Sequence, residues 1–151
     1  VAGRAGRADR PGEVWIQTFY PDHPLLKTLL EKGYDSFAGQ ALAERRDAAW
    51  PPFTHLALLR GECVQRELLF EFLGHARGSA DAMAASDIRV LGPASSPMER
   101  RSGRYRGQLL IQSVHRGRLQ HFLRDWRIAV AALPEARKIR WSLDVDPAEL
   151  F

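Results

Sequence analysis

An α+β fold with one sheet and two covering helices is what the sequence predicts, and three observations predict it. From Phe53 onward, strand-length apolar runs and helix-spaced stripes follow one another in the order strand, helix, two strands, helix, strand. In the later strands, polar residues fill the alternate phase, as they do where one face of a sheet is buried and the other is not. A chain of 151 residues with a single cysteine can bury one core of its own without disulfide staples.

The elements follow in order. The opening VAGRAGRADRPGE is rich in glycine and charge and reads as a loop, whereas Val14 to Phe19 has the β-branched and aromatic character of a strand. Asp22 as N-cap, an early Pro24 and the apolar set Leu25, Leu26, Leu29 and Leu30 predict a short helix that stops at Gly33. A second helix is expected from Asp35 to about Ala49, with Phe37, Ala41 and Leu42 along one side, and Pro51-Pro52 marks a boundary after it. Thr54 to Arg60 is a strand. Val64, Leu68, Leu69, Phe72, Leu73 and Ala76 then recur at helical intervals. Ile88 to Leu91 is a brief strand that ends at Gly92-Pro93. Tyr105, Leu109 and Ile111 alternate with Arg104, Arg106, Gln108 and Gln112 in a half-buried strand. Leu119, Phe122, Leu123, Trp126 and Val130 form a helical stripe that Pro134 ends nearby. Ile139, Trp141, Leu143 and Val145 alternate with Lys138, Arg140, Ser142 and Asp144 in the last strand. A βαββαβ order with two helices implies a ferredoxin-like, split βαβ sheet covered on one face and free on the other.

Charge is distributed unevenly. Between Ile88 and Leu143 there are twelve Lys or Arg and three acids, although the whole chain carries a net charge of only +4. A partner with many phosphates complements such a stretch. The lone Cys63 fits a reducing, cytoplasmic setting and cannot build a cysteine-rich zinc cluster. No apolar run reaches the roughly 20 residues of a membrane span, and the amino terminus has no signal-peptide stretch. A chain opening on Val1 inside a Gly/Arg string is expected to continue a longer protein.

The free sheet face is where Arg104, Arg106, Gln108, Gln112, Lys138 and Arg140 are expected, joined by Arg100 and Arg101 from the preceding loop. Side chains two apart on a strand lie about 7 Å from each other, which suits backbone phosphates better than base edges. Stacking of single-stranded bases needs aromatic residues on that face, and Tyr105 falls in the buried phase instead. The plainer alternative is that these arginines only keep a sheet edge soluble. The five histidines show no ligand spacing with Cys63 or with each other, and Asp144 with Asp146 reads as turn chemistry, so no metal site is expected. There is no GxxxxGK[ST] phosphate loop.

VAGRAGR resembles the last conserved motif of superfamily 2 helicases. The resemblance implies an arginine finger at Arg7, a second phosphate contact at Arg4, and close approach of ATP and its magnesium permitted by Gly3 and Gly6. The strings VAGRAGRADRPGEVWIQTFYPDHPLL, YDSFAGQALAERRDAAWPPF, RLQHF and WSLDVDP are similar, in this order, to the end of the primosomal protein N′ family of replication-restart DNA helicases. That similarity implies that residues 1–50 end a second RecA-like helicase lobe. It further implies that residues 51–151 form an S10-like C-terminal domain that binds DNA and docks partners. The implied parent is an ATP-dependent 3′–5′ helicase that recognises stalled or branched forks and assembles the primosome, with zinc bound upstream; this stretch alone is expected to be inactive. The family's pocket for the acidic tail of single-stranded DNA-binding protein maps to Arg116 and Gln120 in HRGRLQHF, and other primosomal proteins are implied partners. The alternative is a stand-alone ferredoxin-like module that binds RNA or the ribosome.

Overall fold

The computed structural model describes residues 14–149 in full and residues 6–7 and 10–11 by backbone alone. The chain divides into two compact units, Val1–Glu44 and Arg45–Phe151. In the first, β1 (Gly6–Arg7) pairs antiparallel with β2 (Arg10–Pro11). The strand expected from Val14 to Phe19 does not form, and Trp15 and Phe19 are 90% and 97% exposed. Strand propensity is mostly a fit to a half-buried neighbour, and among the described residues no strand pairs with this run.

Helix α1 (Pro24–Asp47) is broken at Gly33, whose φ of 81° and ψ of −179° no helix contains. The break turns the chain back on itself. Thr28 Oγ1 donates to Gln40 Oε1 at 2.9 Å, although twelve residues of straight helix would separate them by about 18 Å. At the start of α1 the ring nitrogen of His23 accepts the Leu25 N–H at 3.3 Å, while Asp22, expected as the cap, pairs with Lys27 at 2.9 Å.

The second unit is a βαββαβ domain. It comprises β3 (His55–Cys63), α2 (Arg66–Met83), β4 (Ile88–Arg101), β5 (Arg104–Ser113), α3 (Arg116–Ala132), a 3-10 turn (Pro134–Arg137) and β6 (Arg140–Val145). The sheet is antiparallel throughout, in the order β4-β5-β3-β6. Several boundaries differ from expectation. Val64 lies outside α2 and is exposed, and β4 runs on past Gly92-Pro93 through a register shift between Leu91 and Ala94. A proline there is tolerated because β4 is an edge strand and the shift takes the place of a ladder bond.

Both helices pack on one face. Ala57, Leu59, Leu109 and Ile111 from the two central strands meet Leu69, Phe72, Leu73 and Ala76 of α2 and Leu119, Phe122, Trp126 and Val130 of α3. Close approach of α2 rests on Gly61 and Gly107, which face each other in register on β3 and β5. A Cβ on Gly61 would stand 2.7 Å from Leu69 Cδ1, and one on Gly107 would stand 2.8 Å from Leu73 Cδ1. The buried Trp126 indole ties the helices together by donating to the Ala76 carbonyl at 3.1 Å and to Ser79 Oγ at 3.0 Å.

The opposite face is only partly free, which corrects the expectation of an open sheet. Leu56 and Leu58 point to this side, yet they are only 3% and 1% exposed. The chain before β3 and the chain after β6 cover one end of the face. Asp146 N–H donates to the Leu56 carbonyl at 2.9 Å, Arg60 reaches the Glu149 carbonyl, and the Gln112 amide donates to the Ala49 carbonyl and to Thr54 Oγ1.

Candidate nucleic-acid interface

The uncovered end of this sheet face is basic, and the strand register explains why. Arg106, Glu62 and Arg140 lie side by side in one row across β5, β3 and β6, and Gln108, Arg60 and Ser142 occupy the next. Beyond them, Arg101 and Arg104 are register partners across the hairpin turn Ser102-Gly103, whose positive φ values of 51° and 77° match the tight turn that twisted strands prefer. Glu62 pairs with Arg106 at 3.2 Å and Asp144 with Arg60 at 2.8 Å. Arg101, Arg104 and Arg140 have no carboxylate partner among the described residues. With Arg60, Glu62 and Ser102 they line a depression of about 440 Å³. Uncompensated guanidinium groups converging on a concave, solvated surface suit phosphate oxygens, which they can grip in pairs.

Two expected members of the face lie elsewhere, and a third is on it but covered. Arg100 is in register with Tyr105, in the helix-side phase, and its guanidinium sits 5.2 Å over that ring. Gln112 is buried and spends its amide on Ala49 and Thr54, so it anchors the covering segment. Lys138 is exposed in the turn before β6, not on a strand. Arg60 and Arg89 share the face and were missed, because they sit in apolar runs without visible alternation.

A second surface lies at the start of α3. Arg116 is its first residue, 67% exposed, with its guanidinium 3.5 Å from Asp146; Gln120 follows one turn later and is exposed. Between the end of α2 and α3, on the other flank of α3, is a separate, largely apolar depression of about 650 Å³. Met83, Ile88, Arg118, His121 and Phe122 line it; Arg116 and Gln120 do not. Arg118 approaches Asp87 at 3.3 Å without hydrogen-bond alignment, so both oxygens of this buried carboxylate remain without a hydrogen bond. At the edge of the same depression the Arg124 hydrogen bond holds the exposed Asp125 carboxyl below its ordinary range.

Gly3 and Arg4 lie outside the described residues, and Gly6 and Arg7 are described by backbone alone, so the expected nucleotide contacts fall outside what the structure describes. Asp144 and Asp146 are the ion-pair partners of Arg60 and Arg116. Among the described residues no helix is long and apolar enough to cross a membrane.

A family described as the primosomal protein N C-terminal domain matches residues 46–148. Among curated proteins, the replication restart protein PriA of Haemophilus influenzae is 42% identical over 99% of this chain, which corresponds to 20% of that protein. The PriA proteins of Rickettsia conorii and Bacillus subtilis are each 31% identical, over 100% and 97% of this chain and 22% and 18% of their own lengths. This chain thus spans about a fifth of the relatives it matches. A solved structure titled De novo designed protein Foldit4 is similar over 64% of this chain, with a TM-score of 0.48 and 6% identity. The match to residues 46–148 covers the βαββαβ domain from β3 to β6, and the chain belongs to the primosomal protein N C-terminal domain family.

Proposed function

We propose that this chain is the DNA-gripping and partner-docking part of an ATP-dependent 3′–5′ helicase that acts at stalled or branched forks and restarts replication by primosome assembly. The observation that carries the DNA reading is the convergence of Arg101, Arg104 and Arg140 at the uncovered end of the sheet, with Glu62 and Asp144 already paired to other arginines. That arrangement favours a phosphate backbone over bases. Trp141, the one aromatic residue among the described residues lining the depression, is also packed toward Phe72 on the helix side, at 6.3 Å between centroids. The relatives are named replication restart proteins, which supports the biological setting. Residues 1–50, as the end of a second helicase lobe, would contribute Arg7 as the arginine finger and Arg4 as a second phosphate contact, with Gly3 and Gly6 admitting the nucleotide. Hydrolysis of ATP, with magnesium neutralising its phosphates, would supply the free energy of translocation, and zinc would be held upstream. Arg116 and Gln120 would take the carboxylates of the single-stranded DNA-binding protein tail. Other primosomal proteins complete the partner set.

The test is fluorescence anisotropy with forked, duplex and single-stranded DNA across a salt series. R101E/R104E/R140E is expected to abolish binding, and the wild-type affinity should fall steeply with salt, by about 0.9 in log–log slope per phosphate neutralised on duplex DNA. R100E, which reverses a charge on the other side of the sheet, should retain most of the affinity. Equal binding by the triple variant and wild type would reject the sheet face as the DNA grip.

A further inference from the structure

Glu71 and His75 stand four residues apart on α2, so they share one face of the helix. The 3-10 turn that follows α3 brings Glu135 against them, and one donor atom from each of the three residues lies within 4.8 Å of the other two. His75 Nδ1 and Glu135 Oε1 are 3.1 Å apart. Donors on a tetrahedral zinc ion are separated by about 3.3–3.5 Å, given metal–ligand bonds of about 2.0–2.2 Å. One edge of such a site is therefore a hydrogen-bonded pair that need open by only a few tenths of an ångström to admit the ion, and Glu71 is exposed and can approach by rotation about its side-chain bonds.

An independent observation asks for a cation. Glu135 is 9% exposed, and its second oxygen, Oε2, is buried with no hydrogen-bond partner. A buried carboxylate oxygen left without a donor is costly, and a His75–Glu135 contact uses only the other oxygen. Two carboxylates and a neutral imidazole sum to a charge that a divalent ion cancels. The imidazole favours a first-row transition ion over magnesium or calcium, which prefer all-oxygen sets.

We propose that Glu71, His75 and Glu135 form a surface site for a divalent first-row metal, with zinc as the expected ion, that clamps the outer side of α2 to the turn leading into β6. Three protein donors leave a fourth position to water. Histidine and cysteine spacing along the chain could not reveal it, because two of the three donors are carboxylates and one comes from sixty residues away.

The experiment is calorimetric titration of the 151-residue chain with zinc chloride, repeated for E71Q, H75Q and C63S, with magnesium as control and cobalt absorption reporting the coordination number. Wild type and C63S are expected to bind one equivalent and to gain thermal stability from zinc. E71Q should bind at least about tenfold more weakly, and H75Q likewise, since even losing a supporting partner of a metal ligand costs about ten- to a hundredfold. Glu71 is exposed, so E71Q should melt as wild type does without metal, which keeps the comparison valid if H75Q is unstable. The proposal is overturned by the absence of saturable zinc binding, by equal affinity in E71Q and wild type, or by loss of binding in C63S.

Discussion

At the scale of single residues, partner choice separates arginines that hold the fold from those left to bind. Arg66, the first residue of α2, donates to Glu99 at 3.0 Å and stacks 4.7 Å over Phe70, joining α2 to β4. That hydrogen bond, seconded by one from Ser95, pulls the Glu99 carboxyl below its ordinary range. A carboxyl depressed in the folded state stabilises the fold above its unfolded pKa, and this contribution is lost as pH falls through the folded value. R66Q should therefore return the Glu99 titration toward the ordinary value, which carbon-detected NMR of the side-chain carboxyl can follow; an unmoved titration would deny the pairing. Arg116 offers a second case. Asp146 occupies it at 3.5 Å, so an acidic tail must displace this carboxylate to bind there. D146N is expected to tighten a tail peptide by up to about fivefold, the ~1 kcal/mol that an exposed pair is worth, and R116E to weaken it by at least as much. Little of this was legible from sequence. Gln112 obeys the same alternation as Arg104 and Arg106, and only its contacts to Ala49 and Thr54 distinguish it, while Arg100 is set apart by the hairpin register that pairs it with Tyr105.

At the scale of elements, the strand and helix order was legible because the stripes from Thr54 to Val145 keep their period where a helix covers the sheet. Reading failed where burial has another source. Leu56 to Leu59 is buried on both faces and shows no alternation, so the segments that cover Leu56 and Leu58 left no trace in the pattern. The break at Gly92-Pro93 was misread as an end because an edge strand accepts a shift that a central strand would not. The paired glycines beneath α2 give this layer a sharp test. G107A places a methyl 2.8 Å from Leu73 Cδ1 and 3.4 Å from the Ala94 carbonyl, inside a core where Leu73 is fully buried. Overpacking of this kind costs about 1–3 kcal/mol, and L73V in the same chain should recover part of it. Urea denaturation with an unchanged m-value reads the loss directly; a G107A midpoint equal to wild type would mean that α2 rides higher than the glycine pair implies.

At the scale of the molecule, the division at Glu44 and Arg45 separates the buried core from the stretch that only resembles a helicase motif. Every member of the hydrophobic core cluster lies between Ala57 and Ile139, whereas α1 buries none of its residues. Exposed Val14, Trp15, Ile16, Phe19 and Tyr20 sit in the other unit, where the sequence resembles a helicase lobe. Cooperative unfolding follows burial of a shared core, so the unit from Arg45 onward should carry the whole transition. The basic end of the sheet, from Arg60 to Arg140, belongs to the same unit. A chain beginning at Arg45 is therefore expected to melt within a few degrees of the 151-residue chain, a shift that in a domain of this size corresponds to less than about 1 kcal/mol, and to bind DNA within about twofold. Calorimetry and anisotropy on the two chains decide it. Matched melting with lost binding would place part of the DNA contact before Arg45, while a collapsed transition would show that the first unit stabilises the second.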